Sequence, residues 1–394
     1  MFVWIPRYAY KITSGCNTSV VGTIEIKFLE GATNKYGGED GHAPTTYPTV
    51  TDNAMDDFVL HPAFKDGTSN NFANGEWDNE IPGFWVAKFQ AGYQASTIDT
   101  NGILVNEADV VEYSNLKYTS NKGYTINALG QTLANTGYLS QRISYPVFKP
   151  QTYVYNVISI GDSYSLSREI ASATAFYGLD SRITDSHMIK NSEYGALLYL
   201  TQSSYGRNGV KPNINNLNFN SKNSKNIYAV TGFVGAGIST RATRNISLIN
   251  AYNTTIGGLG SSTGNIYGVY DLNGCLWEKS SAYITNRNAS LKTYGQGLSY
   301  NTSSDSFIKK STKYSTTYPY YSLGDSSSNN WKHFKTNYIG VNYGDALLEV
   351  SSGSGTWYSA VFYYPNGAGA FFHRGSGFNS SSSSSPYSIF YAQR

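Results

Sequence analysis

Gly264-Asn-Ile-Tyr-Gly-Val-Tyr-Asp-Leu-Asn-Gly-Cys-Leu-Trp-Glu278 is the stretch that organises the reading of this 394-residue chain. Gly268 and Gly274 permit turns or close backbone approach, and Asp271 and Asn273 have short polar side chains that tie a turn between them. Tyr270 and Trp277 offer large surfaces for burial. An ordinary hairpin with aromatic core residues accounts for each position separately but not for the whole string.

Upstream, Thr23-Ile-Glu-Ile-Lys-Phe28 alternates polar and apolar residues, which predicts a strand with one face on the core. Phe58-Val-Leu-His-Pro-Ala-Phe64 leads through a polar loop to a second strand-like run, Phe84-Trp-Val-Ala-Lys-Phe89. From Ser165 to Tyr177 the apolar spacing is helical, with Gly178 at the C′ position. A second helix is expected to start at Thr184 or Asp185, whose side-chain oxygen can cap it, and to run through Met188, Ile189, Ala196, Leu197 and Leu200. Beyond Gly206 the chain is rich in Asn, Ser and Thr, with short β-prone runs such as Ile227-Tyr-Ala-Val230 and Ile266-Tyr-Gly-Val-Tyr270, so no further long helix is expected. The serine tract from Ser380 to Ser385 cannot pack a core and reads as an exposed loop.

Aromatic residues make up 15% of the chain and charged residues only 14%, so the chain buries a large core and relies on hydroxyls and amides for solubility, the profile of an extracellular or virion protein. A net charge of +3 with scattered basic residues excludes a nucleic-acid surface. No stretch is long and apolar enough for a membrane-spanning helix. The start Met-Phe-Val-Trp-Ile-Pro-Arg lacks the layout of a signal peptide, which leaves another export route or a trimmed chain. With only Cys16 and Cys275 there is no disulfide scaffold and no cysteine-rich zinc site, and a single bridge between them stays open.

The string at 264–278 resembles the Asn-x-x-Gly-Leu-Tyr-Asp-Met-x-Gly-Asn-Val-Trp-Glu-Trp signature of the formylglycine-generating-enzyme (sulfatase-modifying factor) branch of the C-type-lectin fold. Asp185-Ser-His-Met-Ile-Lys-Asn-Ser-Glu-Tyr-Gly-Ala196 looks like the family helix that carries a Glu-Trp pair, with Glu193-Tyr194 in that place. Phe371-Phe-His-Arg-Gly-Ser376 looks like the late Arg-Gly-Gly-Ser element. Val3-Trp-Ile-Pro-Arg-Tyr8 and Gly83-Phe-Trp-Val-Ala-Lys-Phe89 are similar to the N-terminal part of such domains in phage and Firmicute surface proteins. The resemblance implies an α+β, C-type-lectin-like fold, β-rich with two main helices and long irregular loops. It implies one elaborated domain over 1–394: an N-terminal β-rich portion (1–150), a core with the two helices and the motif (151–340), and a C-terminal variable ligand-binding region (341–394).

Catalysis is not expected. The formylglycine-generating enzymes need a pair of late thiolates as nucleophile, redox partner and copper ligand, and this chain has no cysteine after Cys275. His42, His61, His187, His333 and His373 stand in no zinc-ligand spacing, and His187 reads as a cap or core contact. No Gly-x-Ser-x-Gly elbow is present. Neither a catalytic residue nor a metal site is assigned. No cofactor is expected; Glu278 and Asp271 are of the right type for calcium, but no sugar-binding Glu-Pro-Asn or Gln-Pro-Asp tripeptide supports it.

From Tyr358 to Ala392 there is no Lys, Glu, Gln, Trp, Met or Asp, whereas Tyr, Ser, Phe, Gly and Ala recur. The resemblance extends to the variable proteins of diversity-generating retroelements, in which adenine mutagenesis of Asn codons yields Tyr, Ser, Gly, Ala, Val, Phe or His but not Lys, Glu, Gln, Trp or Met. A serine- and tyrosine-rich low-complexity tail is the plainer alternative. Tyr gives wide amphipathic contact at low entropic cost, and Ser, Gly and Asn adapt their hydrogen bonds, as in antibody loops. Trp357, Tyr358, Phe362, Tyr364, Asn366, His373, Phe378, Asn379 and Tyr387 are therefore the expected exposed ligand contacts, with Arg374, Gly375, Phe390 and Tyr391 in the scaffold. The resulting expectation is a non-enzymatic receptor-binding protein or adhesin, on a phage tail or a bacterial surface, whose partner is a protein or glycan of a host cell. A structural virion or pilus-tip component is the alternative, a formylglycine-type oxidase comes third, and homo-oligomerisation stays open.

Overall fold

The computed structural model describes residues 1–36, 48–67, 75–93, 146–150, 154–155, 158–172, 177–215, 231–235, 249–285, 288–318, 343–353, 355–366, 369–377 and 385–393. Over these residues the fold is mixed α+β and strand-rich, with small sheets and short helices.

Two strands open the chain, β1 (Phe2–Pro6) and β2 (Tyr8–Ser14), followed by β3 (Thr23–Phe28), whose bounds are those predicted from its alternation. β2 lies between β3 and the short β4 (Val59–Leu60). The register sets Tyr10 opposite Ile26 and Ile12 opposite Ile24 on the core side, and Lys11 opposite Glu25 on the other. The predicted run around Phe84 forms β5 (Gly83–Ala87), which pairs with β1. Period-2 geometry turns Ile5 and Phe84 toward the core and leaves the cross-strand pair Trp4 and Trp85 exposed, with ring centroids 5.3 Å apart.

Both main helices exist, but neither starts where the sequence suggests. The first, α1, spans Ile160–Glu169, with Ser159 as N-cap: its hydroxyl accepts from the Asp162 N–H. It ends at Glu169, where the Ala171 N–H donates to the Ser186 hydroxyl instead of continuing the ladder, but Tyr177, the predicted last residue, is itself helical. Residues 173–176 lie outside the described residues; Gly178 does have a positive φ of 67°. The second, α2, spans Asn191–Gln202, not a span from Thr184 or Asp185. The Asp185 carboxylate that was expected to cap it is held by Arg168 and by the Tyr314 hydroxyl. The helix begins instead at N-cap Lys190, whose N–H donates to Glu193 Oε2 at 3.0 Å. The fully buried Lys190 ammonium donates to the Gly75 and Lys313 carbonyls and lies 3.8 Å from the Trp77 ring centroid, which anchors the helix entry. Only short helices follow among the described residues, α3 (Thr255–Gly258) and α4 (Ala289–Tyr294). The run Ile227–Val230 and the serines 380–384 lie outside the described residues.

The largest sheet joins β6 (Glu278–Ile284), β7 (Thr316–Tyr318), β8 (Phe371–Arg374) and β9 (Ile389–Ala392) in the order β7-β6-β8-β9. The β6–β7 pair is parallel; the others are antiparallel. One apolar cluster runs from Ile5 through Tyr194 and Leu198 of α2 to Ala392, so the beginning and end of the chain share a core. Between α2 and the large sheet runs the segment 343–350. Its contact with the helix is so close that a Cβ on Gly195 would lie 1.9 Å from the Gly344 carbonyl oxygen. Cys16 and Cys275 are both buried, in separate apolar clusters, and form no disulfide with each other.

Gly195→Ala is expected to lower the unfolding free energy by about 1–3 kcal/mol, because backbone rather than a movable side chain blocks the added methyl. Gly353→Ala, with open space around it, should change stability by less than about 0.5 kcal/mol in the same urea titration.

Candidate binding face

Three segments singled out in the sequence meet in space. Asp271 and Cys275 adopt left-handed backbone, with φ of 70° and 61°, on either side of the tight turn at Gly274. A Cβ on Gly274 would lie 2.0 Å from the Asn215 carbonyl oxygen, so only glycine fits. Asn273 donates to the Pro212 carbonyl at 2.8 Å and accepts from the Ser376 hydroxyl at 2.8 Å, and that same hydroxyl accepts from the Gly274 N–H. The Tyr194 hydroxyl of α2 lies 3.3 Å from the Leu272 carbonyl and 3.2 Å from that of Pro386. The 271–274 turn, the Glu193-Tyr194 helix and the Arg374–Ser376 element are thus one buried assembly.

The carboxylates of this assembly are turned toward donors. Asp271 accepts from the Asn215 amide at 2.7 Å and from the Gly232 N–H at 3.2 Å, while burial pushes its pKa up to about 6. Glu278 accepts from Gln90 at 3.1 Å; burial, with Asp271 nearby, pushes it up to about 8. No group of three or more His, Cys, Asp or Glu able to hold a metal ion occurs among the described residues. Burial pushes the Cys275 thiol well above its ordinary range, which disfavours the nucleophilic thiolate. His187 is a contact of the helix entry, its Nε2 lying 2.8 Å from Glu193 Oε1.

The expected exposure of the C-terminal contacts needs correction at four positions. Trp357 is fully buried, its Nε1 donating to the Gly15 carbonyl and its ring packed on Gly22. Tyr387 is buried with its hydroxyl 3.2 Å from the Leu198 carbonyl of α2. Tyr364 is buried edge-on against Phe372, and Asn366 is buried in a tight turn with Gly369. The causes differ: Trp357 and Tyr387 satisfy backbone carbonyls of distant elements, Asn366 closes its own turn with Gly369, and Tyr364 packs its ring on Phe372. Tyr358, Phe362 and His373 are half-buried; Tyr358 points back to α2, its hydroxyl 2.9 Å from Gln202 Oε1. Phe378 and Asn379 lie outside the described residues. Arg374 and Gly375 are buried, as expected of scaffold, and the Tyr391 side chain is not among the described ones.

What remains open is a different set. Tyr363 is 45% exposed, and Phe390 and Trp277 are half-buried. Ring centroids of Trp277 and Phe390 are 3.8 Å apart, and those of Tyr363 and Phe390 5.1 Å, so the three form a continuous strip beside β9. Phe390, expected in the scaffold, pairs across the strands with His373, and His373 in turn with Lys279. Burial keeps the His373 ring neutral, with a pKa of about 3, and lowers Lys279 to about 8, its ammonium donating to the Ile158 carbonyl. The strip is therefore aromatic and low in charge. Alternation along 387–391 contained this signal, since Ile389 inward places Phe390 outward; Trp277 and Tyr363 had no comparable cue.

No protein-family model and no curated protein matches the sequence.

The division into scaffold and strip predicts contrasting stabilities. Trp357→Ala should cost about 3–5 kcal/mol through the cavity it leaves, and Tyr363→Ala less than about 0.5 kcal/mol, both read by urea unfolding.

Proposed function

We propose that this chain is a non-enzymatic ligand-binding protein, a receptor-binding protein or adhesin, built on a C-type-lectin-like scaffold of the formylglycine-generating-enzyme type. The observation that carries the reading is the aromatic strip Trp277–Phe390–Tyr363, held beside a sheet whose turns are locked by the assembly around Asn273, Tyr194 and Ser376. Rigid aromatic rings on a fixed scaffold supply contact area with little entropy to lose, and such anchors dominate affinity. The buried Cys275 and the lack of any later cysteine weigh against the oxidase chemistry of that branch. In this proposal the C-terminal segment is a retroelement variable region, the partner is a protein or glycan on a host-cell surface, and the chain resides on a phage tail or a bacterial surface.

A low-charge aromatic strip also suits packing between subunits, so the strip itself favours one second reading, a virion or pilus-tip component that uses it for assembly. Trp277→Ala, Tyr363→Ala and Phe390→Ala should each weaken binding to host cells by about tenfold or more, with the melting midpoint unchanged in Tyr363→Ala, the exposed position. Loss of oligomer mass in sedimentation with host-cell binding unchanged would assign the strip to assembly instead. Sequencing of the coding region across the source population should find substitutions concentrated at adenine-rich codons of 341–394; a uniformly conserved segment would remove the retroelement reading.

A further inference from the structure

Asp345 and Glu349 sit on the segment 343–350, both buried. Glu349 Oε1 accepts from the Tyr10 hydroxyl of β2 at 2.9 Å and from the Gly344 N–H, while Oε2 has no hydrogen-bond partner. Tyr199 of α2 turns its hydroxyl toward the same carboxylate. His61, just before the turn Pro62–Phe64, faces the Gly344 backbone with its Nε2, and burial keeps it neutral, with a pKa of about 3. Asp345 accepts from the Tyr318 hydroxyl of β7 at 2.8 Å and from the Leu347 N–H at 3.0 Å; Tyr318 accepts in turn from the Asn191 amide. The positive charge facing the pair is that of Arg374 at the end of β8. Its Nη1 donates to the backbone carbonyl of Asp345 at 2.9 Å, and its Nε and Nη2 have no hydrogen-bond partner.

Two carboxylates against one guanidinium leave a buried negative charge if both ionise, and a buried charge without a partner is strongly unfavourable. We propose that Asp345 and Glu349 hold one titrating proton between them, and that this proton keeps the 343–350 segment latched between α2 and the large sheet as a pH-responsive element of the fold. Each carboxyl has a donor for one oxygen from its own segment and a tyrosine from a neighbouring element, so the shared proton closes a network that reaches β2, α2, β7 and β8. Burial pushes both groups upward, Glu349 to about 7, and the Glu349 charge raises Asp345 further. With folded-state values above the ordinary carboxylate range, the folded chain binds more protons than the unfolded one. The contribution is therefore complete in acid and is lost as pH rises toward about 7. This inference does not depend on what the aromatic strip binds.

The experiment uses the full chain and two readouts. In the unmodified protein the backbone amide resonances of Gly344 and Leu347, which donate to Glu349 and Asp345, should shift together in one transition near neutral pH. The melting midpoint, followed from about pH 5 to about pH 9, should fall as pH rises; in Glu349→Gln the fall should be smaller and the midpoint at about pH 8 higher than in the unmodified chain. Slope that remains in the variant belongs to the other raised carboxyls, Asp345, Asp271, Glu278 and Glu80, and to Lys279, whose lowered value acts in the opposite sense. Amides that do not titrate over this range, or a Glu349→Gln chain with an unaltered slope, would overturn the proposal. Should that variant fail to fold, the amide titration of the unmodified chain decides alone.

Discussion

The described core is arranged around the segment 343–350, which carries polar groups into its centre and must satisfy them there. The carbonyl and carboxylate of Asp345, the N–H groups of Gly344 and Leu347 and the carboxylate of Glu349 find partners on β2, β7, β8 or within the segment itself. A buried polar network of this kind stabilises only when its geometry is correct, so it selects one packing of the sheets against α2. The close approach of Gly195 to Gly344 follows from the same demand, since any side chain there would push the helix off the segment.

The second constraint is the turn at 271–274. Its left-handed residues and the Gly274–Asn215 contact are tolerable because Asn273, Ser376 and Tyr194 hold it from several directions. That turn delivers the chain directly into β6, and β6 with β8 sets where Trp277 and Phe390 emerge. The aromatic strip is thus a consequence of the buried polar assembly, one strand away from it.

Tyrosine is used here mainly as a core residue. Tyr8, Tyr194, Tyr283 and Tyr387 are buried with hydroxyls directed at backbone carbonyls of distant segments. Each ring fills core volume while its hydroxyl meets a backbone carbonyl of another element, on α2 for Tyr8 and Tyr387. A tyrosine- and serine-rich C-terminal segment therefore does not translate directly into an exposed recognition surface. Trp357 and Tyr387 are of the residue types that dominate binding surfaces, yet they serve here to pack the core.

The sequence by itself determined the mixed class, the strand Thr23–Phe28, the strand around Phe84, the existence of both main helices and the turn character of 264–278, because these rest on periodicity and on short-range backbone demands. Glu193-Tyr194, Asp271–Gly274 and Arg374–Ser376 stood out in the sequence only through the resemblance, and their meeting in space came from the tertiary structure. Only the tertiary structure decided where the helices begin, since Asp185 was claimed by Arg168 and Tyr314 and the entry of α2 by the buried Lys190. Only it decided which C-terminal aromatics face outward: exposure depends on what packs against a residue from far along the chain, as Gly22 does on Trp357 and Leu198 on Tyr387, and such partners leave no trace in local composition.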